Sequence, residues 1–193
     1  MARSVSHRSA QSAIRVASFD VFDTMLTRLV GTPHSAFLLL GRQLITESLI
    51  TTSAHAFQLR RVHAEEHARR LSSAEEVTID EIYDVLASWY GWSAQQRSQA
   101  LELEMELERL LLRPVPEASH LVQQARNRGE RVVFTSDMYL PGSFVAEHLR
   151  AGDLWRSGDE CYVSSDIGEM KQSISLFQHI LEQENVTANQ LQH

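Results

Sequence analysis

The sequence predicts an α/β fold: a Rossmann-like, three-layer parallel sheet with an all-helical cap inserted after the first strand. Three observations predict it. A short apolar run, Ile14 to Phe19, ends at Asp20. Residues 33–112 then read as helix throughout. From Pro116 onward, short strand-like runs alternate with helical ones. Alternation of this kind implies a parallel sheet with helices packed on it.

The elements follow in order. MARSVSHRSAQS is basic and serine-rich and lacks an apolar segment, so it is not a secretory signal. Residues 1–13 read as a disordered leader. Residues 14–32 and 113–193 form the core, and 33–112 form the cap. In the cap, Pro33 to Leu49 and Ser53 to Leu71 are the first two helices. The third is Asp80 to Tyr90, where Thr78 and Glu81 make a capping box. The fourth is Ser93 to Leu112. Its LELEMELE stretch alternates with the period of a strand. Leu, Glu and Met are strong helix formers, however, and no β-branched residue interrupts them, so it reads as helix. Pro114 and Pro116 end it.

Beyond the cap, PEASHLVQQARNRG is a helix closed by Gly129. RVVFTSD is a strand, SFVAEHLRAG a short helix and ECYVSSD a third strand. Lys171 to Glu184 reads as the last helix.

Bulk properties exclude several classes. The net charge of -7 disfavours nucleic acid and anionic membranes as partners. No apolar run approaches the ~18 residues of a membrane span. A single cysteine, Cys161, excludes an intramolecular disulfide and a cysteine-rich zinc site. It reads as buried and inert, and the composition suits the cytoplasm.

Ligands of open parallel sheets gather at the C-terminal ends of the strands. Three strands here end in polar residues: Asp20, then Thr135-Ser136-Asp137, then Ser164-Ser165-Asp166. Lys171 follows soon after. A carboxylate, a hydroxyl and an ammonium would thus meet on one rim.

These residues resemble motifs one to three of the haloacid dehalogenase (HAD) superfamily: Asp20 with Thr24 four residues on, Ser136, and Lys171. The resemblance covers Ile14 to Phe22 and Pro116 to the end. It is similar to bacterial hydrolases reading FDVFDTLLTR, SDMYLP and IG-x-x-K, some of which sit beside glycosyltransferase domains. The resemblance implies hydrolysis of a small phosphorylated molecule through an aspartyl-phosphate on Asp20. Ser136, Thr24, Asp137 and Lys171 would bind the phosphoryl group, and Lys171 would also orient Asp20. Mg2+ would sit on the Asp20 carboxylate and the Phe22 backbone carbonyl.

The chain departs from that pattern twice. Phe22 stands where a second aspartate usually acts as acid and base. Asp23, one residue later, either takes that role or caps the turn. An aromatic at position 22 is also similar to the dehalogenase branch, whose nucleophile attacks carbon without a metal. The second departure is the fourth motif, an acidic pair after a fourth strand expected beside the first. The sequence reaches only NVTANQLQH, with Leu191 starting that strand. The expectation is the N-terminal part of a longer protein, inactive or weakly active as it stands. Its open sheet edge would favour self-association. Asp137 and Asp166 are further candidates for metal oxygens. A third reading is a non-catalytic or regulatory module of a larger, sugar-transferring protein.

Other motifs have plainer readings. HAEEH, residues 63–67, matches a zinc-peptidase pattern but lies in a heavily charged helix face. Arg60, Glu65 and Arg69 are candidates to face the substrate from the cap. Glu102, Glu104, Glu106 and Glu108 read as a solvated acidic face, and Trp89 and Trp92 as cap core.

Overall fold

The computed structural model describes residues 15–193. The leader expected over residues 1–13 lies outside them. In chain order, β1 (Val16–Asp20) leads through β2 (Leu26–Arg28) to four helices: α1 (Pro33–Thr46), α2 (Ala54–Leu71), α3 (Ile79–Tyr90) and α4 (Ala94–Leu111). Next come β3 (Leu112–Pro114), α5 (Ala118–Asn127), β4 (Arg131–Ser136), α6 (Gly142–Ala151), β5 (Glu160–Val163) and a single turn, α7 (Ser164–Ile167). The chain then runs through α8 (Ser175–Gln183) and a 3-10 turn (Ala188–Gln190) into β6 (Leu191–Gln192). No helix among the described residues is long and apolar enough to cross a membrane.

The main sheet has the order β5-β4-β1-β6, and every pairing in it is parallel. Side chains alternate between faces along a strand. Val16 and Val133 therefore meet Leu176 and Ile180 of α8 on one face. Ala17, Val132 and Phe134 meet Val122 of α5 and Val145 and Leu149 of α6 on the other. This gives three layers around a strand, β1, whose first residues are buried on both sides. β6 begins at Leu191 and pairs beside β1, as expected. Asp20 lies opposite Thr135, so β1 and β4 end together at the rim.

Three features differ from the sequence reading. Ser164, Ser165 and Asp166, read as the end of the third strand, lie in α7. β2 and β3 form an antiparallel ribbon through which the chain enters and leaves the cap. At three residues each, neither strand is long enough to show a period. The last helix begins at Ser175, not Lys171. Lys171 lies in a turn, and Ile174 in that turn takes a left-handed φ of 71°.

Helix caps fix the α2, α3 and α4 starts. The Ser53 hydroxyl accepts from Ala56 N at 3.2 Å. Thr78 and Glu81 form the expected capping box, and Ser93 and Gln96 form another. Gly91, at φ 68°, closes α3 in a conformation that glycine takes without strain.

LELEMELE is helical, and Glu102 and Glu106 are exposed as expected, but the other two acids are not solvated. Glu104 and Glu108, one turn apart on α4, are 1% and 2% exposed. Glu104 accepts from Arg61 Nε at 2.9 Å, from Arg61 Nη2 at 2.8 Å and from the Tyr83 hydroxyl at 2.8 Å. Burial opposes the charge on Arg61, and Glu104 overcomes it and raises its pKa. The guanidinium lies over the rings of Phe37 at 4.5 Å and Tyr139 at 4.7 Å. Glu108 accepts from Arg28 Nε of β2 at 2.8 Å, which ties the ribbon to the cap. Trp92 packs inside the cap, stacked on Tyr90, with its indole N–H on the Leu49 carbonyl at 2.8 Å. Trp89 does not: it is 41% exposed and rests against His67.

Arg61 is fully buried, and without Glu104 its charge would keep only the more exposed Glu65 as an anionic partner. Glu104→Ala should therefore lower the unfolding free energy by about 3–5 kcal/mol. Tyr83→Phe, which removes one hydrogen bond to the same carboxylate, should cost about 1–2 kcal/mol. Urea unfolding of both variants checks this. A loss below about 1 kcal/mol for Glu104→Ala contradicts the account.

Candidate active site

The rim begins at Asp20, the last residue of β1. Val21 is fully buried, and its carbonyl accepts from both Met25 N and Leu26 N at 2.8 Å. These bonds fold residues 21–26 into a tight turn. Asp23 occupies it with a φ of 60°, a region where aspartate is enriched among non-glycine residues. Its backbone N–H donates to the Leu26 carbonyl at 2.7 Å, and its exposed carboxylate makes no hydrogen bond among the described residues. The Phe22 ring lies beneath the Arg28 guanidinium at 4.8 Å. The Phe22 carbonyl accepts no hydrogen bond among the described residues.

The turn after α7 brings Lys171 to Asp20, with Nζ 2.5 Å from Oδ1. The backbone N–H of Lys171 donates to Asp137 Oδ1 at 2.8 Å. Asp137, just past the end of β4, thus holds the lysine's main chain while Asp20 holds its side chain. Thr24 Oγ1 is 3.4 Å from Asp20 Oδ2, a long contact. Ser136 ends β4 one residue beyond the partner of Asp20. It is 1% exposed, and its hydroxyl makes no hydrogen bond among the described residues.

The polar residues that follow β5 have another task. The Ser164 hydroxyl accepts from Met138 N at 2.8 Å, and Ser165 donates to the Leu140 carbonyl at 2.9 Å. Asp166 accepts from Gly142 N at 3.0 Å. A Cβ at position 142 would come within 2.5 Å of that carboxylate, so the close approach needs glycine. Asp166 Oδ2 is therefore engaged with the start of α6. Arg60, Glu65 and Arg69 are likewise engaged within the cap. Arg60 covers Tyr90 at 4.9 Å, Glu65 bridges Arg61 and Arg69, and Arg69 also pairs with Glu76.

Several residues at the site escaped the sequence reading. Ser18, two residues before Asp20 on the same face, shares a hydrogen bond with Thr135 at 2.7 Å and another with His193 Nδ1 at 2.9 Å. Burial, then the charge of Lys171, pulls the His193 pKa down. Glu75, from the α2–α3 loop, reaches the Lys171 turn. One signal for the lysine was in plain view. Lys171 is the only lysine among the chain's 18 lysine and arginine residues.

Two carboxylates, Asp20 and Asp137, converge on Lys171, one on its side chain and one on its backbone N–H. Among the described residues, no group of three or more histidine, cysteine, aspartate or glutamate side chains is placed to hold a metal. Magnesium needs less from the protein, because it keeps several waters and uses one or two carboxylates plus substrate phosphate. The free Phe22 carbonyl and Asp20 Oδ2 fit that donor set.

No protein-family profile and no curated protein matches the chain. Solved structures do. A 2-haloacid dehalogenase from Pseudomonas syringae pv. Tomato DC3000 matches with a TM-score of 0.68 and 13% identity, over 92% of this chain and 76% of its own. A protein from Thermotoga maritima described as a beta-phosphoglucomutase matches at 0.61 and 13% identity, over 92% and 74%. The HAD-hydrolase YfnB from Bacillus subtilis, bound to magnesium, matches at 0.56 and 18% identity, over 88% and 74%. At these identities the likeness establishes architecture: this chain has the fold of HAD-like hydrolases.

Proposed function

We propose that this protein is a magnesium-dependent hydrolase of small phosphoric esters, with Asp20 as the nucleophile. The observation that supports it is the pairing of Asp20 with the chain's only lysine at 2.5 Å. An Asp20 oxygen attacks phosphorus and the ester P–O bond breaks, leaving a phosphoryl group on Asp20 and an alkoxide that must gain a proton. Water then attacks phosphorus, inorganic phosphate leaves, and the carboxylate is restored. Lys171 fixes the carboxylate through Oδ1 and offsets the negative charge that gathers as the phosphate arrives. The unpartnered Ser136 hydroxyl donates to a phosphoryl oxygen, and Thr24 steadies the other Asp20 oxygen. The Asp20 carboxylate and the Phe22 carbonyl would hold magnesium, which would supply charge screening between nucleophile and phosphate. The cap selects the substrate and keeps bulk water out.

One observation favours a second reading, a carbon–halogen hydrolase. Phe22 cannot transfer a proton, and its ring is covered by Arg28. The two readings part in a single turnover in isotopically heavy-oxygen water. The phosphoryl route puts the label in released phosphate, because water attacks phosphorus. The carbon-ester route puts it in the Asp20 carboxylate.

Asp20→Asn should abolish magnesium-stimulated turnover of an aryl phosphate, a loss of at least about a thousandfold in kcat. Excess chelator should abolish wild-type turnover, and magnesium should restore it. Turnover that survives both treatments contradicts the proposal. Asp23→Asn separates the two roles open to that residue. Aryl leaving groups depart without protonation, so an acid at Asp23 shows as an alkyl-ester rate reduced about a hundredfold against a nearly unchanged aryl rate. Equal effects on both substrates assign Asp23 to the turn alone.

A further inference from the structure

The cap carries two successive glutamates, Glu75 and Glu76, in the loop between α2 and α3, and both reach the core. A single Glu75 oxygen, Oε2, accepts three hydrogen bonds from the Lys171 turn. The donors are Met170 N at 2.9 Å, the Ser173 hydroxyl at 2.5 Å and the Ser175 hydroxyl at 2.7 Å. The Glu75 N–H donates to the Gly168 carbonyl at 3.0 Å. One carboxylate oxygen therefore gathers the residue before Lys171, a residue after it and the first residue of α8. Those bonds, from Ser173 first, hold the Glu75 carboxyl below the ordinary carboxylate range.

Glu76 grips the neighbouring loop. It is 2% exposed, pairs with Arg69 and accepts from the Ser164 hydroxyl at 3.2 Å. Ser164 holds Met138 N at 2.8 Å, and the adjacent Asp137 holds Lys171 N at 2.8 Å. The two glutamates thus reach Lys171 from both sides, one through residues 170–175 and one through Ser164 and the Met138–Asp137 step. Ile79 N, bonded to the Tyr139 carbonyl at 2.9 Å, closes the same seam.

We propose that Glu75 is a positioning residue for Lys171, so that the ammonium is aligned on Asp20 only while the α2–α3 loop of the cap is docked. The inference deepens the phosphoric-ester reading and rests on it for its kinetic part. The turn also closes on itself, through Ile174 N on the Lys171 carbonyl at 2.9 Å, Leu176 N on the Met170 carbonyl at 3.2 Å and the Ser173 hydroxyl on the Met170 carbonyl at 3.0 Å, and Glu75 clamps it from the cap side. Ile174 sits there at φ 71°, which a β-branched residue adopts only when its surroundings hold it. Three donors on one oxygen suit an anion better than a neutral amide. Glu75→Gln should therefore keep part of the function that Glu75→Ala loses.

The unique lysine makes the test direct. Selective nitrogen-15 labelling of lysine gives one side-chain ammonium signal, that of Lys171. In the whole protein, Glu75→Ala should move that signal toward the position seen in Asp20→Asn, with the unfolding midpoint close to wild type. The Ser173→Ala/Ser175→Ala double variant should move it the same way while leaving every charge in place, and it serves if Glu75→Ala does not fold. With an aryl phosphate, Glu75→Ala should lower kcat about tenfold to a hundredfold, leave KM within about twofold, and be partly rescued in Glu75→Gln. An unmoved lysine signal in both variants overturns the proposal. So does a KM effect with unchanged kcat. If wild type hydrolyses no phosphoric ester yet the signal moves, the catalytic reading fails and the positioning of Lys171 stands.

Discussion

An aspartate and a lysine 151 residues apart meet at 2.5 Å, and the arrangement of the core follows from bringing them there. Neither side chain is deeply buried, so their attraction alone is a small force, of the kind that contributes at most about 1 kcal/mol between exposed groups. The sheet therefore positions the charges. Asp20 is fixed by a strand paired on both sides, with its own turn tied back to Val21. Lys171 is fixed by its backbone, held on Asp137, and by the Glu75 carboxylate. The fold thus sets the geometry of the pair, as the proposed electrostatic role of Lys171 requires.

The cap solves a different problem with the same kind of group. Its four helices bury a complete arginine against Glu104, Tyr83, Phe37 and Tyr139. A buried pair of this sort adds little stability over an apolar substitute, yet either partner alone would be costly. Its effect is to fix register. Arg61 can satisfy its donors in one arrangement of α2, α3 and α4, and its outer face lies on Tyr139 of the core. The cap is joined to the core by several such contacts, among them Arg61 on Tyr139, the Glu75–Glu76 loop, Arg109 over Phe144 and the Arg28–Glu108 pair at the ribbon.

Much of this was legible in the sequence. Thr78 with Glu81 marked the start of α3, and the alternating strands and helices after Pro116 marked the parallel sheet. The rim residues Asp20, Asp137 and Lys171 were legible because strand ends in a parallel sheet share one edge. What was not legible depended on distance. Glu104 and Glu108 looked like surface charges, because a row of alternating acids carries no trace of the arginines that approach from α2 and β2. Nothing in the sequence around Asp166 shows that Gly142 approaches its carboxylate. Ser18, Thr135 and His193 are ordinary polar residues until β4 and β6 flank β1. Glu75 lies 96 positions before Lys171 in the sequence, and only the docked loop connects them.

The central claim is that the Asp20 side chain carries the transferred group. Acid quenching during turnover of an aryl phosphate, followed by mass spectrometry of the peptides, tests it most directly. The account predicts one phosphoryl group on the peptide that contains Asp20, absent when substrate is omitted. A turning-over protein with no such adduct, or with the adduct on another peptide, contradicts it.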